Sequence, residues 1–133
     1  MVACYHSEIR FSDPVFPSLQ GERAGGMWRM LCARATDLRI DFSGVEADDH
    51  HGSAHWEAHY TFSATGRKVH NIIEARFGFT DGKIAVHHDT FDFWRWTRMA
   101  LGPTGWLLGF TPIVQNKVRR QAAIGLDKYL AAS

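Results

Sequence analysis

His87 and Asp89 stand two residues apart in a strand-like stretch, so both side chains leave the backbone on the same side. That side also carries Ala85, Phe91 and Phe93, whereas Ile84, Val86, His88, Thr90 and Asp92 fall on the other. An imidazole and a carboxylate on an otherwise apolar face can move a proton: the carboxylate orients the ring, and the ring takes or gives the proton. The plainer reading is an internal hydrogen-bonded pair filling a polar corner, but charged groups seldom enter an apolar face without a partner or a purpose. Asp13 is a second carboxylate, in the run Phe11-Ser12-Asp13-Pro14-Val15-Phe16. An Asx residue before proline starts a turn and caps local amides. The flanking Phe11 and Phe16 argue for more, because desolvation raises a carboxyl pKa towards the working range of a general base. Tyr60 could donate a hydrogen bond to a developing oxyanion, or simply be a core tyrosine with its hydroxyl at the rim.

The elements that must position these groups follow from periodicity. Residues 68–79 and 84–93 are strand-like and meet at Thr80-Asp81-Gly82-Lys83, a strong hairpin signal. In the first run Ile73, Ala75, Phe77 and Phe79 share one face, and Glu74, Arg76 and Gly78 the other. Residues 55–63 alternate as well, with Trp56, Ala58, Tyr60 and Phe62 opposite His55, Glu57, His59 and Thr61. Residues 38–45 are a further strand candidate, and residues 46–53 a polar turn. Together these predict a four-stranded, mostly antiparallel meander behind one helix, an α+β order.

That helix is expected over residues 22–33, with Trp28, Leu31, Cys32 and Ala35 stacked at helical spacing and Gly25-Gly26 weakening it. Residues 1–6 read as the last turns of a helix, and residues 7–16 as a short extended piece. After Asp92 the period changes. A short helix over residues 93–101 is stopped by Gly102-Pro103. Residues 105–112 form a Gly-punctuated apolar link, and residues 113–132 a final helix with Val114, Val118, Ala122, Leu126 and Leu130 at steps of four and a weak point at Gly125.

The totals narrow the classes of function. At 133 residues the chain suits a single domain spanning residues 1–133, and 45% hydrophobic with 22% charged residues is an ordinary globular balance. A net charge of +1 without a long basic run makes nucleic acid a poor partner. Arg95–Arg98 and Lys117–Arg120 instead read as helix faces exposing cations. Five Trp and nine Phe support a large apolar interior. Cys4 and Cys32 make no disulfide framework and read as free thiols. No apolar run reaches membrane-spanning length, and a cytoplasmic location without membrane partners is expected. The histidines 50, 51, 55 and 59 cluster with Glu57, and His87-x-Asp89 matches half of a non-haem iron site. Neither has the ligand spacing of a zinc motif, so no metal and no cofactor are expected and the cluster reads as a solvated face.

Several stretches in order resemble the nuclear transport factor 2-like superfamily and its SnoaL-like group. They are Cys4-Tyr5-His6, the run from Phe11 to Phe16, Met27-Trp28-Arg29-Met30-Leu31, Gly66-Arg67-Lys68 leading into residues 70–79, Asp81-Gly82-Lys83-Ile84, and residues 87–94. The resemblance implies a curved sheet wrapped with helices into a cone, an α+β barrel of the cystatin-like roll type, with an apolar pocket at its mouth. Relatives include ketosteroid isomerases, polyketide cyclases, limonene-epoxide hydrolases and scytalone dehydratases beside non-catalytic domains. Asp13 matches the catalytic base of the ketosteroid isomerase pattern, and Asp89 lies on the strand where SnoaL-like cyclases carry their acid/base. Trp56, Tyr60, Phe62, Ala75, Phe77, His87, Asp89 and Phe91 would face the pocket, with Trp28 as wall. Ala75 replaces the neutral acid of ketosteroid isomerases, which makes steroid isomerisation by that mechanism a poor expectation. The family's first helix would lie largely before Met1, leaving an edge of the cone for a partner subunit or further chain to cover.

The expectation is therefore an enzyme without a cofactor, moving protons on a small hydrophobic molecule. Asp13, His87, Asp89 and Tyr60 would do the chemistry, and Trp28, Trp56, Phe62, Ala75, Phe77 and Phe91 would line the site. The rival is a non-catalytic domain that binds a hydrophobic ligand or forms a homodimer through the sheet face, with Glu57, His59, Arg76 and His88 in the contact.

Overall fold

In a computed structural model that describes residues 2–108 and 111–132, Asp81 and Gly82 both adopt positive φ, 54° and 73°. Two such residues in succession make a type I′ turn, whose twist suits the strands it joins. The expected central hairpin is thus present, as β5 (Arg67–Thr80) and β6 (Lys83–Thr90). Before it come β1 (Tyr5–Ser12), β2 (Leu19–Gln20), helix α1 (Glu22–Arg34), β3 (Arg39–Ala47) and β4 (His51–Phe62). After it come α2 (Phe93–Leu101), α3 (Pro103–Leu108) and α4 (Pro112–Ala132). The strands form one curved, unclosed sheet in the order β2-β1-β6-β5-β4-β3. The β3-to-β6 meander is antiparallel throughout, whereas β1 joins β6 in parallel. The class is α+β.

Two apolar clusters hold helices to this sheet. One combines Tyr5, Ile9, Phe11, Phe16 and Leu19 with Ala24, Met27 and Met30 of α1 and Leu126 of α4. The other sets Phe93, Trp96 and Ala100 of α2 against Val69, with Tyr60, Phe62, Phe91 and Val118 beside them. Val15, next to Asp13, touches both. Helix α2 begins at Asp92, whose side chain accepts from Arg95 N–H at 3.0 Å, and it ends at Gly102, where φ is 70°.

Three sequence expectations are corrected. Where residues 1–6 were expected to end a helix, Val2–Cys4 is a single 3₁₀ turn, and Tyr5 already belongs to β1. Its pairing partner lies some eighty residues away, out of reach of local periodicity. The buried stripe of α1 is Ala24, Gly25, Gly26, Met27 and Met30, while Leu31 and Cys32 are exposed and Trp28 is half-buried. Gly26 makes room for α4: a Cβ on it would lie 2.5 Å from Leu130 Cδ2. Gly26 thus permits a close helix approach rather than only weakening α1. Similarly, Arg34 Nη1 would lie 3.2 Å from a Cβ on Gly125. The chain's own last helix therefore closes the cluster built on β1 and α1. Lastly, much of the expected apolar link is α3; its residues 109 and 110 lie outside the described residues.

Candidate active site

Strand β6 carries His87 and Asp89 into the interior, where they are 1% and 2% exposed. Register sets His87 between Phe77 of β5 and Phe11 of β1, and Asp89 beside Ala75. The ring centroids of Phe77 and Phe11 lie 4.7 and 5.0 Å from that of His87. Trp28 of α1 stacks on it at 5.9 Å and 16°. The polar atoms of this apolar enclosure form one chain of hydrogen bonds. Trp28 Nε1 can only donate, and it does so to the Tyr5 hydroxyl oxygen at 2.8 Å. That leaves the Tyr5 hydrogen for His87 Nδ1 at 2.6 Å. His87 Nε2 then carries the ring proton and donates it to Asp89 Oδ1 at 2.7 Å. Burial, reinforced by the Asp89 charge and opposed by the Trp28 bond, pushes the Tyr5 hydroxyl well above its ordinary pKa, so it remains a donor.

Asp13 sits in the turn after β1. Its Oδ1 accepts from Val15 N–H at 2.8 Å and Phe16 N–H at 2.6 Å, the expected turn-capping role. Against those two bonds burial raises its carboxyl from 3.8 to about 7, with the Asp89 charge adding to the rise. Burial pushes the Tyr60 hydroxyl up, opposed by the Trp96 bond and reinforced by the Asp13 charge. Trp96 Nε1 donates to the Tyr60 oxygen at 2.9 Å, which leaves the Tyr60 hydrogen available to another acceptor. The Asp13 carboxyl thus feels the Asp89 charge and the Tyr60 hydroxyl feels that of Asp13, while His87 is bonded to Asp89.

The expected lining residues divide. Trp28, Ala75 and Phe77 surround the His87–Asp89 pair, and Trp56 stands 6.0 Å from Trp28. Phe62 and Phe91 instead pack in the Trp96 cluster, Phe62 edge-on to Trp96 at 5.4 Å. Sequence reasoning missed Tyr5 and Trp96, each of which ties a polar group into the site. Tyr5 was concealed by the helical reading of residues 1–6, although Tyr5, Ile9 and Phe11 share strand parity. Two cavities among the described residues lie away from this pair. One of about 680 Å³ is lined by Gly66, Arg67, Lys68, Arg95, Arg98 and Met99. The other, about 490 Å³, is lined by Arg67, Gly102, Pro103 and Leu107. At the sheet's far edge β3 leaves an apolar strip open: Ile40 and Phe42 pair with Ala58 and Trp56 on the same face and are 45% and 73% exposed.

The opposite face of the sheet is rich in imidazole and carboxylate. Glu57 bridges His55 Nε2 at 3.2 Å and His70 Nε2 at 2.6 Å, and His55 Nδ1 reaches Glu74 at 2.5 Å. These bonds hold His55 above its usual pKa, chiefly through Glu74, and Glu57 below its own, chiefly through His70. His88 is exposed and bonds Ser12 Oγ at 2.5 Å. Cys4 and Cys32 are free thiols, and no helix among the described residues is long and apolar enough to cross a membrane.

A curved, unclosed, mixed sheet with helices against it is the nuclear transport factor 2-like fold, and solved structures agree. A hypothetical protein with a ketosteroid isomerase-like fold from Catenulispora acidiphila, in complex with trimethylamine, superposes with a TM-score of 0.67 at 9% identity, covering 78% of this chain and 82% of its own. A candidate SnoaL-like polyketide cyclase from Jannaschia sp. CCS1 gives 0.66 at 13% identity over 77% of this chain and 76% of its own. An epoxide hydrolase like limonene-epoxide hydrolase from M. tuberculosis gives 0.61 at 17% identity, over 74% and 73%. Among curated proteins none matches the chain in sequence. The profile of the SnoaL-like domain matches residues 1–87, and the chain belongs to that family. Asp89 and helices α2 to α4 follow the matched segment.

Proposed function

We propose that the chain is an acid/base enzyme that transfers a proton on a small hydrophobic substrate without a cofactor. The reaction class is isomerisation, aldol-type cyclisation, dehydration or epoxide opening; two of the similar structures are named as a candidate cyclase and an epoxide hydrolase. The observation that carries this reading is the His87–Asp89 pair, 2.7 Å apart and enclosed by aromatic rings on the inner face; the Asp13 carboxyl, raised by burial to about 7, supports it. Near neutral pH such a carboxyl is present in both protonation states, which suits a general acid or base. Tyr60 would donate to the oxygen on which charge develops. His87 and Asp89, held by Tyr5 and Trp28, would store and return the proton. Substrate would approach over the open edge at Ile40 and Phe42 and displace Trp28 or Trp56 from the enclosure.

Enolisable ketones and epoxides, incubated with the protein in D2O and followed by NMR, test the reading. Turnover that falls about 100-fold or more in both Asp13→Asn and Asp89→Asn supports it. Full turnover in those variants removes the assignment. One observation favours a second reading, a non-catalytic domain for a hydrophobic ligand or a homodimer through the sheet face. His87 and Asp89 are closed off from solvent, as a purely structural pair would be. Ligand binding indifferent to Asp13→Asn, His87→Gln and Asp89→Asn would favour that reading.

A further inference from the structure

The outer face of the β4–β5 pair holds a cluster that the proposed proton chemistry does not use. His59 and His70 are register partners on adjacent antiparallel strands, and their rings stack 4.1 Å apart at 16°. Glu57 precedes His59 by two residues and so shares its face. Its Oε1 lies 2.6 Å from His70 Nε2. One ligand atom from each of the three lies within 4.8 Å of the other two. All three residues are half-buried, within reach of an ion from solvent. We propose that Glu57, His59 and His70 form a binding site for one zinc-class divalent ion.

Two imidazole nitrogens and one carboxylate oxygen are a donor set for borderline ions such as Zn²⁺, Co²⁺ and Ni²⁺ rather than for the oxygen-seeking Mg²⁺ or Ca²⁺. Around an ion bound tetrahedrally at about 2.0–2.1 Å, donor atoms stand about 3.3 Å apart. Side-chain rotation alone would open the Glu57–His70 contact and draw in His59, while the long β4–β5 ladder keeps the backbone fixed. The proton held between Glu57 and His70 leaves as the ion enters. Neighbouring groups already orient the ligands. His55 Nε2, 3.2 Å from Glu57 Oε2, occupies one carboxylate oxygen and leaves Oε1 to the ion. Glu74 fixes His55 from its other side at 2.5 Å. Asp41 Oδ2 stands 3.8 Å from His59 Nε2 and adds negative charge. Such supporting contacts commonly govern metal affinity as strongly as a ligand does. A merely solvated face would not require the two histidines to meet across the ladder with a carboxylate on their shared side. The remaining coordination positions face water.

Calorimetric titration of the full chain with Zn²⁺, and visible absorption with Co²⁺, test the proposal. The expected result is one ion per chain, a tetrahedral Co²⁺ spectrum, and an increase in Tm on adding Zn²⁺. His70→Ala, His59→Ala and Glu57→Gln should each weaken binding tenfold or more and abolish the Tm increase. His51→Ala, which alters a histidine outside the cluster, should bind as the parent does. Circular dichroism checks the fold of each variant, and His70→Asn replaces any alanine variant that unfolds. Absence of saturable binding overturns the proposal. So does equal affinity in the parent and the His59 and His70 variants.

Discussion

The protein places imidazole against carboxylate in two settings that differ in solvent. In the interior, Asp89, His87, Tyr5 and Trp28 form a single file of hydrogen bonds, with the ion-pair members 1% and 2% exposed. On the outer face, Glu57, His55, His70 and Glu74 form a comparable network whose side chains are 31% to 64% exposed. Bond lengths are alike, so length does not separate the two. Water does. The outer network is screened and each member can find water if its partner is lost, which makes such pairs weak contributors to stability. In the interior no water replaces a lost partner of His87 or Asp89, and even at half-buried Asp13, on its margin, desolvation raises the carboxyl to about 7. The teaching is that a buried pair is costly to break whether or not it is catalytic, so stability and turnover must be read together.

Four substitutions probe this contrast. His87→Ala leaves the Asp89 carboxylate buried without its donor and should cost about 3–5 kcal/mol in urea unfolding. A loss under about 1 kcal/mol would mean that the interior relaxes or admits water. Asp13→Asn should act in a pH-dependent way. Asp13 folds with its pKa raised from 3.8 to about 7, so its contribution is intact below about pH 4 and is lost as pH rises through 7. Asparagine stays neutral, so the variant should gain on the parent by about 2–3 kcal/mol between pH 5 and pH 8. A stability difference that does not vary with pH would deny the raised carboxyl. Tyr5→Phe removes the hydroxyl that serves both Trp28 and His87 and should cost about 1–3 kcal/mol. If Tyr5 only positions His87, kcat should fall with KM nearly unchanged. Glu57→Gln on the outer face, without added metal, should alter the unfolding midpoint least of the four; an effect rivalling His87→Ala would erase the distinction between the two networks.

Much of this arrangement was legible from residue order. The Asp81-Gly82 hairpin and strand parity located His87 and Asp89 on the inner face, because a period of two is a local property. The limits of α2 followed from Asp92 and the Gly102-Pro103 stop for the same reason. Tyr5 was not legible, since its strand is defined by a parallel partner far along the chain rather than by a turn beside it. The buried stripe of α1 was misassigned because hydrophobicity points to Leu31, whereas the packing of α4 selects the small surface of Gly26. Asp13 was legible as a turn residue and as a desolvated carboxyl, but the charge coupling to Asp89 and Tyr60 depends on three elements meeting in space. The closure of α4 over β1 and α1 also lay beyond local pattern, although the Leu126 and Leu130 spacing marked the face that does it.

The most direct test is a pH titration of the Asp13 carboxyl carbon by ¹³C NMR, assigned with Asp13→Asn and repeated in Asp89→Asn. The account predicts a midpoint at about 7 in the parent and a lower one once the Asp89 charge is removed, with burial keeping it above the ordinary carboxyl value. A midpoint near the usual carboxyl value of 3.8 in the parent would contradict it, because no carboxyl poised for proton transfer would then exist at the end of β1.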